Sequence, residues 1–201
     1  MKLIIARGPL RDLLRWTQCA LLLCGVSLIA WCGYVLADAW KFQRTGQRQV
    51  ESFLIARTGA PASVNHSPPP ASGGLLGRLD IPRLGISVIV VEGTGSKTLR
   101  RAAGHISGTA LPGQRGNIGI SGHRDTFFRP LRNIRRDDVI TVATLDGLYS
   151  YRVMSTTIVS PSDVSVLNPG GTETLTLVTC YPFYLVGAAP GRFIVRAERI
   201  L

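Results

Sequence analysis

Residues 16–37, WTQCALLLCGVSLIAWCGYVLA, form a run of 22 positions without a charge, bounded by Arg15 and Asp38. As a helix rising about 1.5 Å per residue, such a run is about 33 Å long, enough to cross a hydrocarbon core of about 30 Å. Ala37-Asp38-Ala39 loosely resembles a signal-peptide cleavage site. The apolar run, however, is well beyond the roughly 7 to 15 residues of a secretory signal core, so an uncleaved signal anchor is expected. Lys2, Arg7, Arg11 and Arg15 precede the run, and Lys41, Arg44, Arg48 and Arg57 follow it. The positive charges therefore nearly balance. A short tail before the anchor and a large domain after it place the N-terminus in the cytoplasm and the C-terminal domain outside. Cys19, Cys24 and Cys32 fall inside the run as small apolar residues, at spacings that match no metal site.

The anchor divides the chain into a tail (1–15), the span (16–37), a juxtamembrane segment with a linker (38–74) and a domain (75–201). Residues 40–57 carry apolar and basic residues at roughly helical spacing, with Gly46 as a weak point. They read as an interfacial helix or as the end of the membrane helix. Residues 58–74, TGAPASVNHSPPPASGG, have a linker's composition, and His66 is a solvated linker residue. The chain carries a formal charge of +11. From Leu75 onward there are 15 Lys and Arg against 9 Asp and Glu. That excess, spread out and not interleaved with aromatics, suits anionic lipid or envelope surfaces and argues against nucleic acid as a partner.

From Leu75 the text changes to short alternating segments: GRLDI, ISVIVV, NIGISG, DVITVAT, YSYRVMS, TTIVS, TLTLVTC and RFIVRAE. GTALPGQRG, LDG and LNPGG punctuate them as turns. Such a series predicts a mainly β domain, an antiparallel barrel or sandwich. Short helical turns are expected within 98–104 and 126–134. No phosphate-binding loop, dinucleotide fingerprint or internal repeat is present.

Cys180 is the only cysteine after the anchor, and it ends the strand-like TLTLVT. An unpaired thiol kept outside a membrane is exposed to oxidation, which packing alone does not explain. His123 follows NIGISG and Arg192 begins RFIVRAE, so all three lie at strand ends beside glycine or proline turns. The chemistry these side chains suit is acyl transfer. A thiolate attacks a carbonyl, an imidazolium protonates the leaving amine, and a guanidinium steadies the oxyanion. An unperturbed thiol and imidazole are together in these states in under ~1% of molecules at neutral pH, so a nearby cation would help.

The run TLVTC at 176–180 resembles the nucleophile motif of the sortases, membrane-anchored cysteine transpeptidases. GHISGTALPGQRGNIGISGHRDTFF at 104–128, CYPF at 180–183 and AAPGRFIVRAE at 188–198 resemble the class D branch. The likeness covers about residues 75–201 and extends to the anchor. It implies an eight-stranded β-barrel with short helices, preceded by one transmembrane helix. It also implies Cys180 as nucleophile, His123 as general acid and base, and Arg192 as oxyanion and substrate-orienting group. Thr179 is expected to add a hydroxyl or backbone N–H to that hole. The implied substrates are secreted proteins with a C-terminal LPxTG-like sorting signal, with a lean toward LPxTA. Their acyl groups pass to an amine of peptidoglycan, another envelope component or a pilin. No cofactor is implied.

His105, in GHIS, competes with His123 and reads as a hydrogen-bonded structural residue. Arg196 and Arg199 compete with Arg192, whose place after Pro190-Gly191 sets it apart. Alternation puts Arg192, Ile194 and Arg196 on one face and Phe193 and Val195 on the other. Asp125 reads as a turn residue or a partner of Arg124 rather than as a third member of a triad. The acidic residues of the domain form no calcium-like cluster beyond the pair Asp137-Asp138, so no metal is expected. Rival functions are a thiol hydrolase that releases product to water and a noncatalytic envelope-binding barrel. An L,D-type peptidoglycan transpeptidase would hold His and Cys in one short motif, whereas here 57 positions separate them.

Overall fold

The computed structural model describes residues 9–57, 70–185 and 187–200; His66 lies outside them. A helix, α1, runs over Pro9–Arg57. The strands that follow are β1 (Leu75–Ile81), β2 (Ile86–Glu92), β3 (Ala103–His105), β4 (Gly116–Ser121), β5 (Val139–Thr144), β6 (Leu148–Val159), β7 (Glu173–Tyr181) and β8 (Gly191–Ile200). A short helix, α2 (Ser96–Leu99), precedes β3. Single turns of 3-10 helix lie at Pro82–Leu84, Arg129–Asn133 and Ser165–Leu167.

The strands close a barrel in the order β1-β2-β3-β4-β7-β8-β6-β5, with β5 pairing back onto β1. Every strand has one face too apolar to leave in water, and closure buries those faces together without leaving a sheet edge. Leu79, Val88, Ile118, Ile120, Ile140, Val142, Tyr151, Leu175, Leu177 and Val195 meet in this core, each at most 1% exposed. Burying such a side chain contributes about 1.5–3 kcal/mol, which makes the barrel interior the main source of stability.

The structure departs from the sequence expectations in instructive places. The barrel is not wholly antiparallel, because β2 pairs with β3 and β4 with β7 in parallel. YSYRVMS and TTIVS form one strand, β6, whose register shifts between Val153 and Ser155. A bulge of that kind lets a long strand bend around a barrel. The helical turn expected over 98–104 stops at Leu99, and its last residues are β3. Three residues are too few to alternate visibly.

The chain divides into two compact units, Met1–Trp40 and Lys41–Leu201. Within the first, α1 exposes Leu21, Leu22, Leu23, Val26, Ile29 and Leu36 and is long and apolar enough to cross a membrane. Trp16 and Trp40 are exposed near the two ends of the uncharged run. Within the second unit, the remainder of α1 packs on the barrel. Phe42 lies against a small cluster of Ile89, Val91 and Ala102, and Val50 is fully buried. The Gln43 side chain accepts from the Ile89 N–H at 2.9 Å and donates to the Arg101 carbonyl at 2.5 Å, bridging β2 and the residue two before β3. Gly46 is therefore a contact point rather than a weak point, since a Cβ there would come within 2.8 Å of Ile89 Cγ1.

Candidate active site on the outer face of β4, β7 and β8

Alternation along the strands determines which side chains reach the site. Leu175 and Leu177 enter the core, so Thr174, Thr176, Val178 and Cys180 line the outer face of β7. On β8, Phe193, Val195 and Ala197 pack inward, which turns Arg192, Ile194 and Arg196 outward. Cys180 and Arg192 are direct cross-strand partners. On β4, Ile118 and Ile120 are inward, and the parallel register pairs Ser121 with Val178. His123 follows one residue after Gly122, where the backbone pairing of β4 with β7 ends. Cys180 and Arg192 thus lie directly across from each other on neighbouring strands, and His123 begins the turn that follows β4, the strand on the other side of β7.

Backbone bonds fix this arrangement. The Gly122 N–H donates to the Val178 carbonyl at 3.1 Å, extending the β4–β7 ladder beyond the strand. The Thr179 hydroxyl donates to the Gly122 carbonyl at 2.8 Å. Gly122 is required there because a Cβ would come within 2.7 Å of the Phe128 ring. Phe128 is fully buried, and its N–H donates to the His123 carbonyl at 3.1 Å. The turn after His123 is thereby closed over the core.

Thr179 is 2% exposed and faces inward. The expectation that its hydroxyl joins the oxyanion hole is corrected: Thr179 lies on the opposite side of β7 from Cys180 and spends the hydroxyl on Gly122. His105 is 2% exposed, with Nδ1 2.6 Å from Glu92 Oε2 and Nε2 3.0 Å from the Ala110 carbonyl. Both ring nitrogens are engaged, as a structural histidine requires. Asp125 is exposed in the turn and has no hydrogen bond among the described residues. Of the two readings expected for Asp125, turn residue or partner of Arg124, the turn is the one found, because Arg124 donates to the carbonyls of Pro182 at 3.1 Å and Gly187 at 2.8 Å.

The outer face changes character along its length. Asn117, Gly119, Thr174 and Thr176 are buried, whereas Ser121, His123, Val178, Cys180 and Arg192 are half-exposed. Asn117 accepts from the Thr176 hydroxyl at 2.7 Å and donates to the Val166 carbonyl at 2.9 Å, tying the β6–β7 connection over the buried part. The open part ends at Cys180. The Arg192 guanidinium donates back to the Gly191 carbonyl at 3.0 Å and lies 3.4 Å from that of Ala189. Tyr181, Phe183 and Phe193 form an aromatic cluster with ring centroids 5.3–6.4 Å apart.

Asp138 is the carboxylate of an ion pair. Both its oxygens take the Arg83 guanidinium, one of them at 2.5 Å, and the Arg135 N–H donates to it at 2.8 Å. The bond from Arg83 holds this carboxyl below the usual carboxylate range.

A family model for the sortase domain matches residues 79–200, more than half of the chain. The chain belongs to the sortase family, the cysteine transpeptidases. It is 36% identical to Sortase D of Bacillus subtilis (strain 168) over 132 residues, which are 65% of this chain and 67% of the relative. With Sortase SrtE1 of Streptomyces coelicolor it shares 37% identity over 123 residues, 52% of this chain but 35% of that longer protein. Among solved structures, a Clostridium perfringens sortase D5 transpeptidase aligns with a TM-score of 0.62 at 27% identity, over 80% of this chain and 96% of that one. Sortase E1 of Streptomyces coelicolor, solved with a tripeptide in its active site, aligns with a TM-score of 0.57 at 33% identity, over 64% and 90% of the two chains. As members of this family, these relatives agree with the eight-stranded barrel of the present sortase.

Near the site, the sequence did not show the reach of Arg124. Its partners are 58 and 63 residues away in the chain, and its neighbour Asp125 offered a nearer but unused acceptor.

Proposed function

We propose that this sortase cleaves an LPxTG- or LPxTA-like sorting signal through a thioacyl-enzyme on Cys180 and transfers the acyl group to an envelope or pilin amine. The observation that carries the reading is the placement of Cys180 directly across from Arg192, with His123 just past the end of the neighbouring β4 and all three half-exposed. In the first half-reaction the Cys180 thiolate attacks the carbonyl carbon of the residue before the scissile bond. Arg192, directly across from Cys180, stabilises the oxyanion, a kind of contribution worth about 2.7–4 kcal/mol per donor in well-studied acyl transfer. His123 gives its proton to the departing amine as the C–N bond breaks. In the second half-reaction the acceptor amine attacks the thioester, returns a proton to His123 and releases the thiolate. The backbone N–H of Thr179 remains a donor for the oxyanion in this reading, without its hydroxyl.

The domain plan follows the same reading: tail 1–15, span 16–37, juxtamembrane segment and linker 38–74, catalytic domain 75–201. The span crosses the membrane once, with the N-terminus cytoplasmic and the barrel outside. Trp16 and Trp40, 24 residues apart, suit two interfacial belts about 36 Å apart. The test is to incubate the full chain in detergent with a labelled LPxTA or LPxTG peptide, with and without an oligoglycine amine. Product carrying the amine is expected. Hydrolysis alone, at every amine concentration, points instead to a thiol hydrolase.

A further inference from the structure

Arg124 is 9% exposed, yet no carboxylate pairs with it among the described residues. Both of its hydrogen bonds go to backbone carbonyls, Pro182 through Nη1 at 3.1 Å and Gly187 through Nη2 at 2.8 Å. Removing a guanidinium from water without an ionic partner is costly, so the position demands a return that packing does not supply. Its place in the chain shows what that return is. Arg124 follows His123 directly, Pro182 lies two residues after Cys180, and Gly187 lies five before Arg192. One side chain therefore reaches from the backbone that carries the acid–base group to both limbs of the connection between the nucleophile and the oxyanion group.

Resting on the active-site reading above, we propose that Arg124 is a positioning residue for acyl transfer. Its planar fork clamps the β7–β8 connection to the turn after β4 and so sets Arg192 and Cys180 relative to His123. The fork matters because two carbonyls at different points of the connection are bound at once. A lysine ammonium, a point charge on a flexible stem, does not reproduce that geometry. Arg124 does not touch the reacting atoms in this account. Loss of the clamp misplaces donors already present, and displacements of about 1 Å in such a site cost on the order of 10²-fold in rate.

The experiment compares the full-length wild type with Arg124→Gln and Arg124→Lys by steady-state peptide cleavage and by hydrogen–deuterium exchange of the segments flanking Pro182 and Gly187. Asp138→Asn, distant in the chain from the site and also destabilising, serves as the stability control. The expected result is a fall of at least about 10-fold in kcat for Arg124→Gln. KM should change less, exchange in the β7–β8 connection should rise, and Arg124→Lys should recover only part of the rate. Asp138→Asn should keep its kcat per folded molecule. Wild-type kcat in Arg124→Gln overturns the proposal, as does a loss of kcat without faster exchange, which would give Arg124 a direct role. Should Arg124→Gln fail to fold, Arg124→Lys decides by the same two readouts. Exchange is measured without substrate, so failure of the clamp and failure of the proposed reaction are distinguishable: the latter appears as cleavage that survives Cys180→Ala.

Discussion

The two ends of the β4–β7 pair differ sharply. At the end where both strands begin, most polar groups are paired: Thr176 with Asn117, Asn117 with Val166, and Glu173 with the Tyr151 hydroxyl at 2.5 Å, the buried Thr174 hydroxyl being the exception among the described residues. The Glu173 carboxylate also takes the Gly113 N–H at 2.9 Å, and burial together with its own bond to Glu173 pushes the Tyr151 phenol far above its usual range. At the end where the strands finish, His123 and Cys180 are half-exposed, and neither side chain has a hydrogen bond among the described residues. The paired end gives the sheet its register, and the open end inherits that register for side chains free to meet a substrate. With the proposed reaction at Cys180, stability and reactivity would be allotted to opposite ends of the same two strands.

Substitutions break this comparison most strongly at the open end. Cys180→Ala and His123→Ala should each abolish measurable peptide cleavage, a loss of at least about 10³-fold, while circular dichroism and Tm stay near wild type. Arg192→Lys should lower kcat by roughly 10²-fold with less change in KM, because one ammonium does not replace the guanidinium opposite Cys180. The paired end should respond the other way. Asn117→Ala leaves the Thr176 hydroxyl and the Val166 carbonyl unpaired and should cost about 1–3 kcal/mol in denaturant unfolding, with kcat per folded molecule nearly kept.

The smallest effect lies outside the pair, at Asp138. Its folded-state carboxyl is held low by Arg83, so it contributes stability that is complete above the unfolded value of about 3.9 and disappears as pH falls through the lower folded value. Wild type should therefore exceed Asp138→Asn in Tm at pH 6–7, and the gap should close on acidification below about pH 4.

Much of this was legible in the sequence. Alternation in RFIVRAE placed Arg192 on the face opposite Phe193 and Val195, and the structure shows the same faces. The text around His123 and His105 separated the two histidines correctly as to hydrogen bonding, since His105 is saturated by Glu92 and Ala110. Strand order was not legible, because β4 pairs in parallel with β7 across an intervening β5–β6 hairpin, and local periodicity carries no record of such pairing. Nor were the partners of Arg124, the Gly122 carbonyl as acceptor of the Thr179 hydroxyl or the close approach of Gly46 to Ile89. Each depends on a contact far along the chain, whereas the sequence displays only neighbours.

The central claim is that the open end presents Cys180 as an acyl acceptor beside His123 and Arg192. Intact-mass spectrometry of the full-length protein, incubated with an LPxTA or LPxTG peptide without an added amine, tests it most directly. The account predicts an adduct with the mass of the N-terminal peptide fragment, mapped to Cys180, removed by hydroxylamine and absent from Cys180→Ala. Cleavage with no adduct in wild type and undiminished turnover in Cys180→Ala would contradict it.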